Sequence, residues 1–256
     1  MNYLTAVFSL FLLTLILPID NVHLEKKSLK DLAIVIDDLG NNMKGTDEIL
    51  NLPIPLTVAI MPFMPTTKRD AELAHKNGHE VIVHMPMEPQ RGKKSWLGPG
   101  AITSDLSDEE VRQRVLDAFT DVPHAVGMNN HMGSKITEDE RIMKIVLEVC
   151  QENGMFYLDI KTSSKSVVKK LANEMNIPYL ENNLFFDEVY SVSHIKNQAK
   201  LLARNITFFD QFIAIGHVGT SGEMIYEVLN EYIPAYKEVA NFVTLTELVP
   251  DLQLVK

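Results

Sequence analysis

Cysteine is almost absent from the 256 residues. Cys150 stands alone, so the chain forms no internal disulfide and no thiolate metal cluster. It falls within an amphipathic helical pattern, where a buried structural thiol is the expected role. Runs of Lys and Arg are missing too. With 34 Asp and Glu against 24 Lys and Arg, the formal net charge is −10, which argues against nucleic acid as a partner. No internal repeat and no break in composition divides residues 31–249. After the first predicted strand there is no Gly-rich phosphate fingerprint, since Asp37-Asp38-Leu39-Gly40 stands there instead, and a dinucleotide fold is disfavoured.

Long apolar runs are scarce, with one exception at the start. Tyr3 to Pro18 is almost wholly apolar, short for a membrane span and about right for a signal-peptide core. Lys or Arg before it and a small-x-small site after it are both missing. Residues 1–18 are read as an export signal, with an uncleaved membrane tether through residues 3–18 as the alternative and a buried helix ranked below both. The chain is therefore expected outside the cell or in the cell envelope. Residues 19–30 read as a polar linker and residues 250–256 as a tail. The remainder, 46% hydrophobic and 23% charged over the whole chain, has an ordinary globular balance.

What is present is strand after strand ending in polar residues. Leu32 to Ile36 is an unbroken apolar run leading into Asp37-Asp38, as suits a strand of a parallel sheet buried on both faces. On an extended chain those two carboxylates point to opposite faces, so they are expected to do different work. A helix over 41–50, a strand over 56–60 and a helix from Thr66 or Thr67 to Asn77 follow, with Gly78 as the left-handed stop. The third strand, Glu80 to His84, precedes a long segment from Met85 to Asp105 that carries Trp96. Segments of that length are usually functional or disordered, and the tryptophan favours a binding loop or lid. Capping boxes at Ser107 and Thr137 open two helices. Later strands are predicted at 125–128, 155–159, 178–180, 212–216 and 242–244. Helices separate them at 166–175, 193–205 and 222–232. Seven or eight strand-helix units in one domain predict a (β/α) barrel, slightly opened if there are seven, with a doubly wound open sheet as the alternative.

The strand ends hold Asp37 and Asp38, His84, Asn130 and His131, Asp159 and His217. In a barrel these converge on one rim. One aspartate and two histidines from different strands form the ligand set of a mononuclear hydrolytic zinc site with an open position. Such an ion makes bound water acidic and polarises a carbonyl. A second carboxylate beside it can take the water's proton, and a histidine opposite can protonate the leaving group. Glu88, in the turn Met85-Pro86-Met87-Glu88-Pro89, can face inward or outward.

Ile36-Asp37-Asp38-Leu39-Gly40, His84-Met85-Pro86-Met87-Glu88-Pro89, Asn129-Asn130-His131-Met132-Gly133-Ser134, Leu158-Asp159 and Ile215-Gly216-His217 together resemble the motifs of the divergent polysaccharide deacetylases. The likeness covers about residues 31–249 and implies a deformed (β/α) barrel. It implies Asp37 as general base, His217 as general acid, and Asp38, His84 and His131 as ligands of a divalent metal, expected to be zinc. Glu88, Trp96, Asn130, Ser134 and Asp159 are the expected contacts to a carbohydrate substrate. Two departures from the wider superfamily stand out. Glu88 occupies the usual place of a second metal histidine, four residues after the first, and the groove-lining Arg-x-Pro-Tyr motif has no counterpart. The reaction implied is metal-dependent removal of acetyl groups from an envelope or extracellular carbohydrate. The alternatives are a non-catalytic glycan-binding protein and a metal hydrolase of another amide or ester.

Overall fold

The structure is a computed structural model and describes residues 29–249. The expected export segment, the linker up to residue 28 and the tail lie outside the described residues. No helix among the described residues is long and apolar enough to cross a membrane. In chain order the elements are β1 (Lys30–Leu39), α1 (Thr46–Ile49), β2 (Thr57–Ile60), α2 (Thr67–Lys76), β3 (Glu80–Met87) and α3 (Asp108–Asp121). Then come β4 (Ala125–Met132), α4 (Glu140–Glu152), β5 (Phe156–Asp159), α5 (Val168–Met175), β6 (Tyr179–Glu181) and β7 (Leu184–Phe185). The chain continues with α6 (Val192–Asn205), β8 (Gln211–His217), α7 (Gly222–Lys237), β9 (Ala240–Val243) and α8 (Leu245–Leu248).

The strands pair in the order β6-β5-β4-β3-β2-β1-β8-β7, with β9 added against β1, and these pairings are parallel. The sheet curls into an incompletely closed barrel with helices around it, the deformed (β/α) barrel expected of one domain. β6 and β7 do not pair with each other. Asn182 and Asn183 cross the opening between them: Asn182 N–H donates to the Asp159 carbonyl at 3.0 Å and Asn183 N–H to the Ile213 carbonyl at 3.0 Å.

Burial on both sheet faces explains the unbroken apolar runs. Leu32, Ile34 and Ile36 pack outward under the helices with Val81, Val83, Met128 and Tyr157. Ala33, Val35, Ile82, Phe156, Leu158, Ile213 and Ile215 fill the barrel interior, closed below by Leu245 and Leu248 of α8. Each fully buried Val, Leu or Ile contributes about 1.5–3 kcal/mol, so both layers hold the sheet. Continued one step, the period of two assigns polar residues to faces. Asp37, His84, Asn129, His131 and His217 share the interior parity, whereas Asn130 and Asp159 share the outer one.

Several expected boundaries shift. The helix expected over 41–50 shrinks to α1, because Asn42 and Gly45 take positive φ of 50° and 84°. Gly45 is required by a close approach: a Cβ there would lie 2.4 Å from the Gly222 carbonyl carbon, and one on Gly222 would lie 2.0 Å from the Lys44 carbonyl oxygen. Ser107 and Glu110 form their capping box. Thr137 does not form one; its hydroxyl donates to the Gly133 carbonyl, and Asp139 caps α4 by accepting from Ile142 N–H at 3.1 Å. β3 and β4 run on to Met87 and Met132, and α7 passes Pro234 to end at Lys237.

Candidate metal centre and active site

The site begins with an irregularity in β1. Val35 and Ile36 stand opposite Thr57 and Val58, yet Leu39 stands opposite Ile60, so β1 has one extra residue at its carboxyl end. That is a β-bulge. Asp38 within it has φ of 70°, a conformation that costs a non-glycine residue on the order of 1 kcal/mol or more. The strained turn is tied to α2, since Gly40 N–H donates to the buried Asp70 carboxylate at 2.9 Å. Regular alternation would separate the two carboxylates, as the sequence led us to expect. The bulge instead brings both to one imidazole: Asp37 Oδ2 lies 3.8 Å from His84 Nδ1 and Asp38 Oδ1 lies 3.2 Å from His84 Nε2.

Three ligand-type atoms converge there. Asp38 Oδ1 is 2.9 Å from His131 Nδ1, and His84 Nε2 is 3.1 Å from His131 Nδ1. With the 3.2 Å edge from His84 to Asp38, the atoms form a nearly equilateral triangle. Ligand atoms at zinc distances and tetrahedral angles are about 3.3–3.4 Å apart, so the triangle matches one face of such a site. The chemistry fits as well. His131 Nε2 is 3.2 Å from the Trp96 carbonyl, an acceptor only, which puts the His131 proton on Nε2 and leaves Nδ1 bare. Asp38 Oδ1 is buried without a hydrogen-bond donor when both histidines are neutral. Three acceptors facing one point require a cation or a proton. Burial works against a charge on Asp38, but the histidine contacts outweigh it and hold its carboxyl well below the usual range. Burial likewise opposes charge on His84, yet Asp37 and Asp38 raise its pKa. In the absence of metal, a proton can bridge where the ion would sit.

Asp37 is fully buried. Oδ1 accepts from Asn129 Nδ2 at 2.9 Å and Oδ2 has no partner among the described residues. Burial raises its pKa despite His84 and His217 nearby. β8 places His217 directly opposite Asp37 in the sheet. His217 Nδ1 is 2.9 Å from Asp187 Oδ1, its own N–H donates to Asp187 Oδ2 at 3.0 Å, and Ser221 Oγ donates to the same oxygen. Asp187 is an acceptor at all three contacts, so the His217 proton on Nδ1 is fixed and Nε2 is the free nitrogen. Burial disfavours the imidazolium, but the Asp187 hydrogen bond and charge, with Asp38 and Asp37 behind them, raise His217 to about 9.

Asp38, His84, His131 and His217 line one cavity of about 470 Å³. Its other walls mix apolar groups (Met43, Ile160, Phe185, Tyr190) with hydroxyls of Thr162 and Thr220. Phe185 stacks on His217 at 5.9 Å between ring centres. Two further cavities share lining residues with it. One, of about 430 Å³, shares Ile160, Phe185 and Glu188 with it; the other, of about 510 Å³, shares Met43, Gly219 and Thr220.

None of the remaining sequence candidates lines that cavity. Asn130, on the outer parity, is fully buried and accepts from Tyr157 OH at 3.2 Å. Asp159 is buried and accepts from Lys161 N–H at 2.8 Å; burial raises its pKa. Ser134 Oγ accepts from Gln90 N–H at 3.0 Å. Glu88 turns away from the metal position: one oxygen pairs with Lys135 at 2.8 Å and the other accepts from Ser104 N–H and Oγ. Lys135 chiefly holds its carboxyl low. Thus Glu88 fastens the 88–104 segment, and the third ligand-type side chain beside Asp38 and His84 is His131. Trp96 borders the site through its carbonyl, while its side chain is mostly exposed. Asn129, Asp187 and Ser221 are the functional neighbours that the sequence did not announce. Asn129 was detectable as the residue two before His131 on the same face of a strand.

A protein of Haemophilus influenzae of uncharacterized role is 35% identical over 186 residues, 73% of this chain and 66% of that one. The chain thus spans just under two thirds of that relative's length. Among solved structures, the uncharacterized protein ATU2773 from Agrobacterium tumefaciens C58 is similar at a TM-score of 0.80 and 18% identity, over 86% of this chain and 89% of the other. The Bc1960 peptidoglycan N-acetylglucosamine deacetylase is similar at a TM-score of 0.52 and 14% identity, over 87% and 89%. At these identities the two structures show a shared fold. The sequence itself matches the family model described as divergent polysaccharide deacetylase across residues 34–249, and the chain belongs to that family.

Proposed function

We propose that the protein is a metal-dependent hydrolase that removes acetyl groups from a carbohydrate, with zinc as the expected ion. The observation that carries this reading is the triangle of bare acceptor atoms from Asp38, His84 and His131, about 3 Å on each side, in the same cavity as the His217–Asp187 pair. A divalent ion held by those three residues would polarise the acyl oxygen and acidify water beside it. Asp37 takes the proton of the attacking water at its unpartnered Oδ2. His217, protonated at neutral pH, gives the proton on Nε2 to the departing amine nitrogen or alcohol oxygen as the acyl bond breaks. Asp187 keeps the imidazole oriented throughout. Water and the acetyl ester or amide thus become acetate and the free sugar hydroxyl or amine.

The two neighbouring cavities support a substrate longer than one sugar, reaching from the site toward the β7 side or the α1–α7 side. The apolar wall around Phe185 and Tyr190 suits a pyranose face and an acetyl methyl group. The N-terminal apolar segment supports action outside the cytoplasm, at the envelope. The test is acetate release from acetylated chito-oligosaccharides and peptidoglycan fragments, with zinc supplied and then chelated. Release that needs the metal is expected. Metal-loaded protein that binds the oligosaccharides without releasing acetate would instead identify a glycan-binding protein.

A further inference from the structure

We infer that Asn129 is the positioning residue of this centre: it fixes which nitrogen of His84 faces the metal position and which oxygen of Asp37 remains free. The inference rests on the metal-hydrolase reading above, but it concerns proton placement that can be measured without turnover. The Asn129 side chain is fully buried between the two groups. One end is 2.9 Å from Asp37 Oδ1 and the other is 2.6 Å from His84 Nδ1. An ionised carboxylate only accepts, so the amide NH2 must face Asp37, and this settles the orientation of the whole carboxamide. Its oxygen then faces His84 Nδ1, which must carry the proton. Nε2 is left bare toward Asp38 and His131. The reversed amide would set oxygen against carboxylate. It would also leave a proton on Nε2, pointing where the ion binds. A single amide therefore excludes the unproductive histidine tautomer and occupies one Asp37 oxygen, leaving Oδ2 available. Aspartate at this position would keep an acceptor for His84 and set a second carboxyl against Asp37, where the two share one proton and Asp37 is no longer free to take another. Alanine would lose both the acceptor and the donor.

The experiment uses the full chain labelled with ¹⁵N-histidine. Two-bond ¹H–¹⁵N spectra of the metal-free protein, at a pH where the ring is neutral, should show His84 protonated at Nδ1. Zinc affinity is read by competition with a chromogenic chelator. Asn129→Ala should lose the Nδ1–H preference and bind zinc about 10–100-fold more weakly. Asn129→Asp should keep the Nδ1 proton and zinc affinity within about threefold, yet lose turnover about 10²-fold or more. Wild-type His84 found protonated at Nε2 would overturn the inference without any variant. So would Asn129→Ala retaining both the Nδ1 proton and wild-type affinity. If Asn129→Ala does not fold, Asn129→Asp and the wild-type spectrum still decide the matter. Should the wild-type chain bind no zinc, the metal reading fails while the tautomer result stands by itself.

Discussion

Replacing Asp187 by Asn should uncouple His217 from the charge that keeps it protonated. His217 titrates at about 9 rather than 6.5, and at 1.36 kcal/mol per unit that displacement is about 3 kcal/mol, an order of magnitude for a side chain still partly open to water. Burial alone would lower the value, so Asp187, at 2.9 Å, supplies most of the rise. An asparagine brings no charge. It must also turn its NH2 toward either His217 Nδ1 or the His217 N–H, both of which donate to Asp187 now. His217 should then titrate at or below the ordinary value. At pH 7.5 its protonated share falls from nearly all to about a tenth or less. The alkaline limb of kcat should move down by about two and a half units or more, with about tenfold lower kcat at pH 7.5. Stability follows the same linkage. The folded pKa lies above the unfolded one, so the contribution is complete below about 6.5 and disappears as pH rises through about 9. Urea unfolding should therefore show the variant weakened by about 3 kcal/mol at pH 6, plus roughly 1–3 kcal/mol for the mispaired amide. At pH 10 only the second part should remain. NMR titration of the ring supplies the direct check. A His217 that still titrates near 9 in Asp187→Asn, or a stability loss equal at both pH values, refutes the reasoning.

His84→Ala and His131→Ala should each abolish stoichiometric metal retention, measured by elemental analysis after gel filtration. Asp37→Asn should keep the metal and lower kcat by about 10²–10⁴-fold; loss of metal with unchanged turnover per bound ion would mean that the two aspartates have exchanged roles. Because metal displaces protons from the Asp38–histidine cluster, apparent zinc affinity should rise with pH across the histidine range, with proton release detectable by calorimetry in buffers of different ionisation enthalpy. Gly45→Ala forces a Cβ to 2.4 Å from Gly222 in a left-handed conformation, and should lower unfolding free energy by about 2 kcal/mol or more, read by chemical denaturation.

Much of this arrangement is legible in the residues, and the reasons for the rest are physical. Strands buried on both faces write themselves as apolar runs, and the ligand types at their ends converge once the barrel is assumed. That same burial erases the alternation that would have told Asn129 from Asn130, since Ala125 to Met128 is apolar throughout. Only the assignment of His131 to the interior fixes the parity. The bulge at Asp38 leaves no trace in composition, because it is defined by pairing with Thr57–Ile60. Asp187 follows a strand of two residues, too short for any periodicity. Glu88 is settled by Ser104 and Lys135, partners 16 and 47 residues away. At Thr137 the capping-box pattern misleads, because the Gly133 carbonyl takes the hydroxyl and Asp139 caps α4 instead.

The unclosed seam has a consequence for how the protein behaves among its own copies. A parallel sheet that fails to close ends in two rows of unpaired backbone groups, and such rows are templates for strand addition by another chain. Here the two terminal strands, β6 and β7, are successive in the chain and short, three residues and two. The linking asparagines hydrogen-bond to both flanks. Those bonds run to β5 and β8, so the crossing segment is itself held to the sheet. At three residues and two, neither terminal row offers a neighbouring molecule more than a short edge on which to begin a shared sheet.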